Sequence, residues 1–246
     1  MSARQRIDQQ PGFVLHSYPY RETSLIIEVF SRDHGRVGLV AKGARRPMSQ
    51  LRGVLMAFQP LLIDWSGGGE MKTLVRAEWQ GGQPLLGGQA LLCAYYLNEL
   101  ILRLMPREDA HPALHEAYGE ALRALALTCD PQEVILRRFE LALLQELGYG
   151  LELEQDCDGR PLQPEGRYAY IIERGAVPVE LYGLDDPGTV TGRTLLDMAR
   201  GDFRNPESLA GSKALMRRLI QHYLGGQVLQ SRRVFTELFA YPGDLS

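Results

Sequence analysis

The sequence predicts an α+β protein of more than one domain, in which a small β-barrel is followed by a helical region. Up to about Glu78, short runs rich in Val, Ile, Leu and Phe alternate with turn residues, which is typical of strands. From Gln89 onward, apolar residues recur every three or four positions, which is the period of an α-helix. The glycine-rich stretch from Gly81 to Gly88 separates the two patterns and marks the expected boundary.

Five strands are predicted before this boundary. They are Gly12–Ser17, Ser24–Phe30, Arg36–Ala41, Pro60–Trp65 and Glu70–Ala77. Gly35 ends the connection between the second and third strands, where a hairpin can need a positive φ, and three glycines at 67–69 join the last two strands. Five short strands with this spacing suit a Greek-key barrel of the OB type, although a three-plus-two sandwich would give the same pattern.

Six helices are predicted after the boundary. They are Gln89–Leu104, Leu114–Leu125, Val134–Leu147, Thr191–Ala199, Pro206–Tyr223 and Ser231–Phe239. Asp130 is expected to cap the third helix, with Pro131 at its first position. A loop-rich segment lies between the third and fourth helices and contains one expected hairpin, Arg167–Ile172 with Ala176–Val179.

These patterns suggest four consecutive segments. Residues 1–80 are expected to form an OB-type domain and 81–150 the first part of a helical domain. Residues 151–187 form a loop and hairpin segment, and 188–246 the C-terminal helices that complete the helical domain.

Composition indicates an ordinary soluble chain. It has 246 residues, 45% of them hydrophobic, and a net charge of −3. No stretch approaches the ~20 apolar residues of a membrane helix, and the N-terminus lacks the apolar core of a signal peptide, so a cytoplasmic location is expected. Three widely spaced cysteines make neither a disulfide framework nor a CxxC pair.

No recognisable catalytic set is present, so an enzyme is not expected. The GxSxG and GxxxxGK[ST] patterns are absent. His111 and His115 have a spacing that can bind a metal, but Pro112 lies between them and HExxH is missing. The acidic run from Glu152 to Asp158 is most simply a solvated loop, with a magnesium site as the alternative. We expect no cofactor and no metal.

Charge is spread unevenly along the chain. Residues 1–80 carry +4, residues 81–186 carry −10 and residues 187–246 carry +3. Of the 27 cationic residues only three are lysine, and arginine can both stack on bases and bind phosphate through two hydrogen bonds. This distribution points to a polyanionic partner, although an ordinary solvated surface remains the alternative.

The basic residues with the strongest case for contacting a nucleic acid lie in a loop after the third strand, on the fifth strand and near the C-terminus. They are Lys42, Arg45, Arg46, Arg52, Lys72, Arg76, Lys213, Arg217, Arg218 and Arg232. Lys72 and Arg76 are four positions apart on one strand and are expected to point the same way. Phe58, Trp65 and Trp79 can either stack on bases or lie in the core.

Four separated blocks, in order along nearly the whole chain, resemble the RecO recombination mediator family of bacteria. They are Pro19–Leu25; Gly35–Arg36 with Val40–Arg45; Arg137–Leu144 with Leu147–Gly150; and Tyr223–Gly226 with Ser231–Arg232. The resemblance implies an N-terminal OB fold, a helical remainder and no enzymatic turnover. It also implies binding to single- and double-stranded DNA, strand annealing, partnership with RecR, binding to the C-terminal tail of single-stranded DNA-binding protein, and help in loading RecA.

The resemblance also bears on metal and on the tail-binding site. Many members carry a four-cysteine zinc finger after the third block, where this chain has only Cys157, so no zinc site is expected. An acidic tail that ends in Phe needs a cation and an apolar pocket. The helix at 131–148 offers Arg137, Arg138, Leu136, Phe139 and Leu143. The alternative is that these residues form helix core and internal salt bridges.

A second function remains open at this point. Because the middle of the chain carries −10, it should repel DNA. The protein would then serve mainly as a scaffold that recruits the tail and RecR, with DNA contact secondary.

Overall fold

The N-terminal strands close into a five-stranded barrel in the computed structural model, which describes residues 6–127, 130–182 and 188–239. The strands are β1 (Arg6–Tyr20), β2 (Ser24–Ser31), β3 (Gly35–Ala41), β4 (Pro60–Ser66) and β5 (Met71–Trp79). Their order around the barrel is β1-β2-β3-β5-β4, with β3 and β5 parallel and the other pairs antiparallel. This order is that of an OB-type barrel, which confirms the predicted fold and excludes the sandwich.

The barrel interior follows from the alternation along each strand. Ile27, Leu39, Ile63 and Trp65 belong to one buried cluster, to which every strand contributes. The short helix α1 (Leu51–Val54), between β3 and β4, packs its apolar side chains against the same cluster. Since period-two apolar strands bury one face each, closing the sheet removes both open edges and completes the core.

A bulge in β5 overturns one prediction about its basic residues. Asp64 pairs with Arg76 and Trp65 with Leu74, so Val75 is an extra residue on β5. A bulge shifts the alternation by one position. Leu74 and Ala77 therefore pack on the barrel core, whereas Arg76 is exposed. The expectation that Lys72 and Arg76 share a face is wrong.

The rest of the chain is mainly helical. Its elements are α2 (Gly88–Leu104), α3 (Pro112–Leu127), α4 (Gln132–Glu146), β6 (Arg167–Ile171), β7 (Gly175–Pro178), α5 (Val179–Tyr182), β8 (Val190–Thr191), α6 (Gly192–Arg200), α7 (Pro206–Tyr223) and α8 (Gln230–Phe239). Packing divides the described chain into two units. The first holds the barrel with α2, α3 and α8, and the second holds α4 to α7 with the small sheet.

In the first unit, α3 closes over the outer surface of β1 and β2. Phe13 and Phe30 contact His115 at ring distances of 5.2 Å each, and both also contact Tyr118. Asn98 of α2 donates to the main-chain oxygen of Leu15 at 2.7 Å. These contacts fix the first two long helices on the barrel.

The second unit is built around α4, α6 and α7, beside a three-stranded sheet of order β7-β6-β8 that includes the predicted hairpin. Phe139, Leu143 and Leu219 lie in its interior. The start of α4 differs from the expectation, because Pro131 rather than Asp130 occupies the N-cap position and no side chain caps the helix.

Candidate nucleic-acid interface

Five cations lie on two connections at one end of the barrel, which we call the basic end: Arg21 between β1 and β2, and Lys42, Arg45, Arg46 and Arg52 between β3 and β4. Leu25 pairs with Ala41, so the β1–β2 turn lies beside the point where β3 ends. The amide of Arg45 donates to the main-chain oxygen of Thr23 at 2.9 Å and ties the two connections together. Strand pairing therefore brings Arg21 to the loop that carries Lys42, Arg45 and Arg46.

All five side chains of the basic end are exposed, and within the described residues none forms an ion pair with a carboxylate. The Arg45 guanidinium donates to the main-chain oxygens of Arg21 and Glu22, each at 3.4 Å. Arg21 lies over the ring of Tyr20, 5.1 Å from its centre. The positive charges of the five cations are therefore not neutralised by a paired acid.

Many cations elsewhere are paired with an acid. The pairs include Arg6–Asp8, Arg32–Asp33, Lys72–Glu108, Arg76–Glu78, Arg107–Glu28, Arg160–Asp158, Arg193–Glu165 and Arg204–Asp202. The partnership with Arg32 holds the pKa of the Asp33 carboxyl below its usual value, and Arg204 lowers the pKa of Asp202 to about 2. A cation that is paired with an acid attracts a phosphate less strongly. The unpaired cations of the basic end are therefore better candidates for phosphate contact than the paired cations.

A shallow cavity of about 520 Å³ opens at the basic end. Arg21, Lys42 and Arg46 line it, together with Tyr20 and one acid, Glu22. Three cations against one carboxylate leave the cavity positive, which suits the phosphate groups of a nucleic acid.

The outer surface of β2 and β3 is largely covered within the first unit. Glu28 is 5% exposed and is ion-paired with Arg107. Arg36 donates to the main-chain oxygen of Leu102 at 2.8 Å, and burial lowers its pKa. The basic end is therefore more accessible to a nucleic acid than the outer surface of β2 and β3.

The sequence-predicted DNA residues on β5 and α7 lie on other elements, and most of them have partners of their own. On β5, Lys72 and Arg76 are each paired with an acid. On α7, Lys213 is paired with Glu133 at 2.5 Å and Arg218 donates to the main-chain oxygen of Tyr170 at 2.7 Å.

Two further predicted cations lie on different units. Arg217 is exposed on α7, in the second unit, with no carboxylate partner among the described residues. Arg232 belongs to the first unit, where it donates to the Tyr96 hydroxyl at 3.2 Å.

Two of the three candidate stacking aromatics are core residues. Phe58 and Trp65 are 5% and 1% exposed. Trp79 is 56% exposed and its indole N–H donates to Gln59 at 3.0 Å.

The helix predicted to bind an acidic tail buries most of the residues named for that role. Phe139 and Leu143 are core residues, and Arg137 is 5% exposed and bonded to Glu140. Leu136 is half-buried. Arg138 is exposed, is ion-paired with Asp130 at 3.6 Å and donates to the main-chain oxygen of Gly201 at 3.3 Å.

A cavity of about 470 Å³ lies along the face of α4 that carries Arg138. Leu141 and Ala142 line it from α4, Met198 and Ala199 from α6, and Glu152 and Glu154 from the segment after α4. The geometry thus offers a recess of mixed polar and apolar lining near one exposed arginine, together with two acids that oppose an acidic ligand.

No metal site is visible in the parts of the chain that the structure describes, where no three His, Cys, Asp or Glu side chains come close enough to hold an ion. His111 contacts Asp109 at 3.2 Å, and His115 is buried. Over the same residues, no helix combines the length and apolarity that a membrane span needs.

Comparison with known proteins identifies the family. The model for the N-terminal part of recombination protein O matches residues 5–82, and that for its C-terminal part matches residues 87–233. A DNA repair protein RecO from Aromatoleum aromaticum is 68% identical over 97% of this chain and 99% of its own length. Those from Azoarcus and Dechloromonas aromatica are 65% and 54% identical over similar shares. This chain belongs to the RecO family.

The RecO N-terminal match contains the whole basic end. Sequence reasoning named four of its five cations and missed Arg21, although the residue lies inside a block quoted for the resemblance. The available signal was the strand register, because a hairpin between β1 and β2 beside the end of β3 brings the turn residue to the basic loop.

Proposed function

We propose that this protein is a non-enzymatic mediator of DNA repair and recombination that binds single- and double-stranded DNA at the basic end and anneals complementary strands. With RecR, it would help RecA load on DNA coated by single-stranded DNA-binding protein. The observation that carries the proposal is the basic end itself. Its five exposed cations lack acidic partners among the described residues, in a chain whose relatives are named DNA repair proteins.

The physical task of annealing fits such a surface. Two strands repel each other through their phosphates, and exposed arginines reduce this repulsion without occupying the base edges that must pair. Bond-breaking groups are not needed. Exposed loops at the end of a barrel are suitable carriers for these cations.

The proposal is tested by the rate at which complementary oligonucleotides anneal, bare or coated with single-stranded DNA-binding protein. The Arg45→Glu/Arg46→Glu variant should anneal bare strands at least tenfold more slowly, since two attractive charges become repulsive. The matched control is Arg6→Glu/Arg32→Glu, which changes the net charge equally at exposed, acid-paired positions at the opposite end of the barrel strands. Equal rates for the two variants would reject the basic end as the DNA site.

A second candidate function, a scaffold that recruits the acidic tail of single-stranded DNA-binding protein, is supported by the recess on α4. Arg138 would pair with the tail carboxylates and the recess would receive the Phe ring. A labelled tail peptide should bind Arg138→Glu several-fold more weakly than Arg160→Glu, which is an exposed and paired control. Undiminished binding to Arg138→Glu would exclude this helix from tail recognition.

A further inference from the structure

Trp79 is a large apolar side chain that the fold leaves in solvent. The chain has two tryptophans, and they differ sharply, because Trp65 is 1% exposed in the barrel core and Trp79 is 56% exposed. Tryptophan has a large apolar surface that normally contributes to stability by being buried. More than half of the Trp79 surface stays in water, so the first unit does not gain this stabilisation.

The indole of Trp79 is held in a fixed orientation. Its N–H donates to Gln59 Oε1 at 3.0 Å, and Gln59 is itself 4% exposed. The main-chain oxygen of Phe58, the neighbour of Gln59, accepts a hydrogen bond from Gln83 at 3.1 Å. The polar edge of the ring is therefore satisfied inside the protein, which leaves exposed ring surface available for an apolar or aromatic ligand.

Trp79 lies at the same end of the barrel as the basic cluster. It ends β5 opposite Leu61, near the start of β4. The helix α1, which carries Arg52, packs against β5, and only six residues separate Arg52 from Gln59. A short oligonucleotide that contacts the basic end can therefore reach the indole, since OB folds cover roughly 4–16 nucleotides.

We propose that Trp79 is a stacking platform for an unpaired base of single-stranded DNA bound at the basic end. This inference rests on the proposed function and adds a basis for preferring single strands. Arginines attract any phosphate backbone, whereas an indole can stack only on a base that is not already stacked within a duplex. Stacking also tolerates any sequence, because every base has a π-face.

The test combines affinity with intrinsic fluorescence, using an oligo-dT strand and a duplex of equal length. Trp79→Ala should weaken dT binding by about tenfold while leaving duplex affinity unchanged. Trp79→Phe should retain most of the dT affinity, because an aromatic ring remains. Wild-type emission should be quenched on dT binding, and Trp79→Phe should lose this quenching because its remaining tryptophan is buried.

Leu85→Ala is the control, since Leu85 is 71% exposed and has no ring. It should bind both DNAs as the wild type does. Equal loss of dT and duplex binding in Trp79→Ala, or quenching that persists in Trp79→Phe, would overturn the stacking role. If Trp79→Ala binds dT normally while Arg45→Glu/Arg46→Glu does not, the inference fails and the proposed function stands. A wild-type protein that binds neither DNA would defeat both.

Discussion

Arg137 and Glu140 form a buried ion pair on α4. Because Arg137 is buried and paired, its guanidinium is not accessible to the carboxylates of an acidic tail. The two residues are 5% and 0% exposed, and Nε and Nη1 of Arg137 have no hydrogen-bond partner among the described residues. The neighbouring Arg138 is the same residue type but points to solvent. Sequence alone could not separate the two, because which arginine faces inward depends on the packing of α4 in its unit.

Removing one member of this pair should be costly. Glu140→Ala leaves a buried guanidinium without its carboxylate, and we expect the free energy of unfolding to fall by about 3–5 kcal/mol. The double variant Arg137→Met/Glu140→Leu should be much closer to the wild type, because both charges are gone. Urea unfolding measures both; a loss under 1 kcal/mol in Glu140→Ala would mean that the charge is not confined as the structure shows.

His115 should make the first unit sensitive to acid. The side chain is 8% exposed and lies between Phe13 and Phe30. Burial is the main reason that the pKa of His115 is lowered to about 4. Above pH 6.5 the imidazole is neutral in both the folded and unfolded states, so it has no effect. Between pH 6.5 and about 4 only the unfolded chain takes up the proton, so stability falls across this window by roughly 3 kcal/mol.

Denaturant unfolding at pH 7.5 and pH 4.5 checks this prediction. The wild type should lose more stability between the two conditions than His115→Leu, which cannot titrate at this position. The same pH dependence in both proteins would show that other groups control acid lability.

The N-terminus of α8, the last described element, is bound by the carboxylate of Glu99. Glu99 of α2 accepts the amides of Gln230 and Ser231 at 2.9 and 2.8 Å and the Ser231 hydroxyl at 2.7 Å. A negative charge at a helix N-terminus satisfies unpaired amides and interacts favourably with the helix dipole.

Glu99→Ala should therefore loosen α8 before it affects the barrel. We expect a loss of about 1–2 kcal/mol, seen as faster hydrogen exchange of α8 amides while the strand amides keep their protection. Arg103→Ala is the control, since its contact with Glu99 is a longer 3.7 Å ion pair. Unchanged exchange in α8 would show that packing alone holds the helix.

Elements with a strong apolar period were predictable and those without it were not. The helix Pro206–Tyr223 has the predicted bounds, and Asn205 supplies a cap through the amide of Glu207. The first part of β1 was missed because residues 6–10 are mostly polar, although they pair with β4. The bulge at Val75 has no signature in composition, because it depends on how β5 fits against β4.

At the scale of the whole molecule, the placement of charge matters more than its total. The net charge is −3, yet a positive end exists because acids neutralise many cations elsewhere and leave these five unpaired among the described residues. The sequence could predict the loop with Lys42, Arg45 and Arg46, since these residues are adjacent. Arg21 becomes their neighbour only through the register of β1, β2 and β3, and Glu108 could not be predicted as the partner of Lys72 because a tertiary contact brings the two together.

The salt dependence of binding to an oligo-dT strand tests the account most directly. Each phosphate contact contributes about 0.7 to the slope of log affinity against log salt for a single strand. Replacing Lys42, Arg45 and Arg46 together by Ala should therefore weaken binding and flatten the slope by about 2. A correctly folded triple variant that keeps the wild-type affinity and slope would show that DNA binds elsewhere.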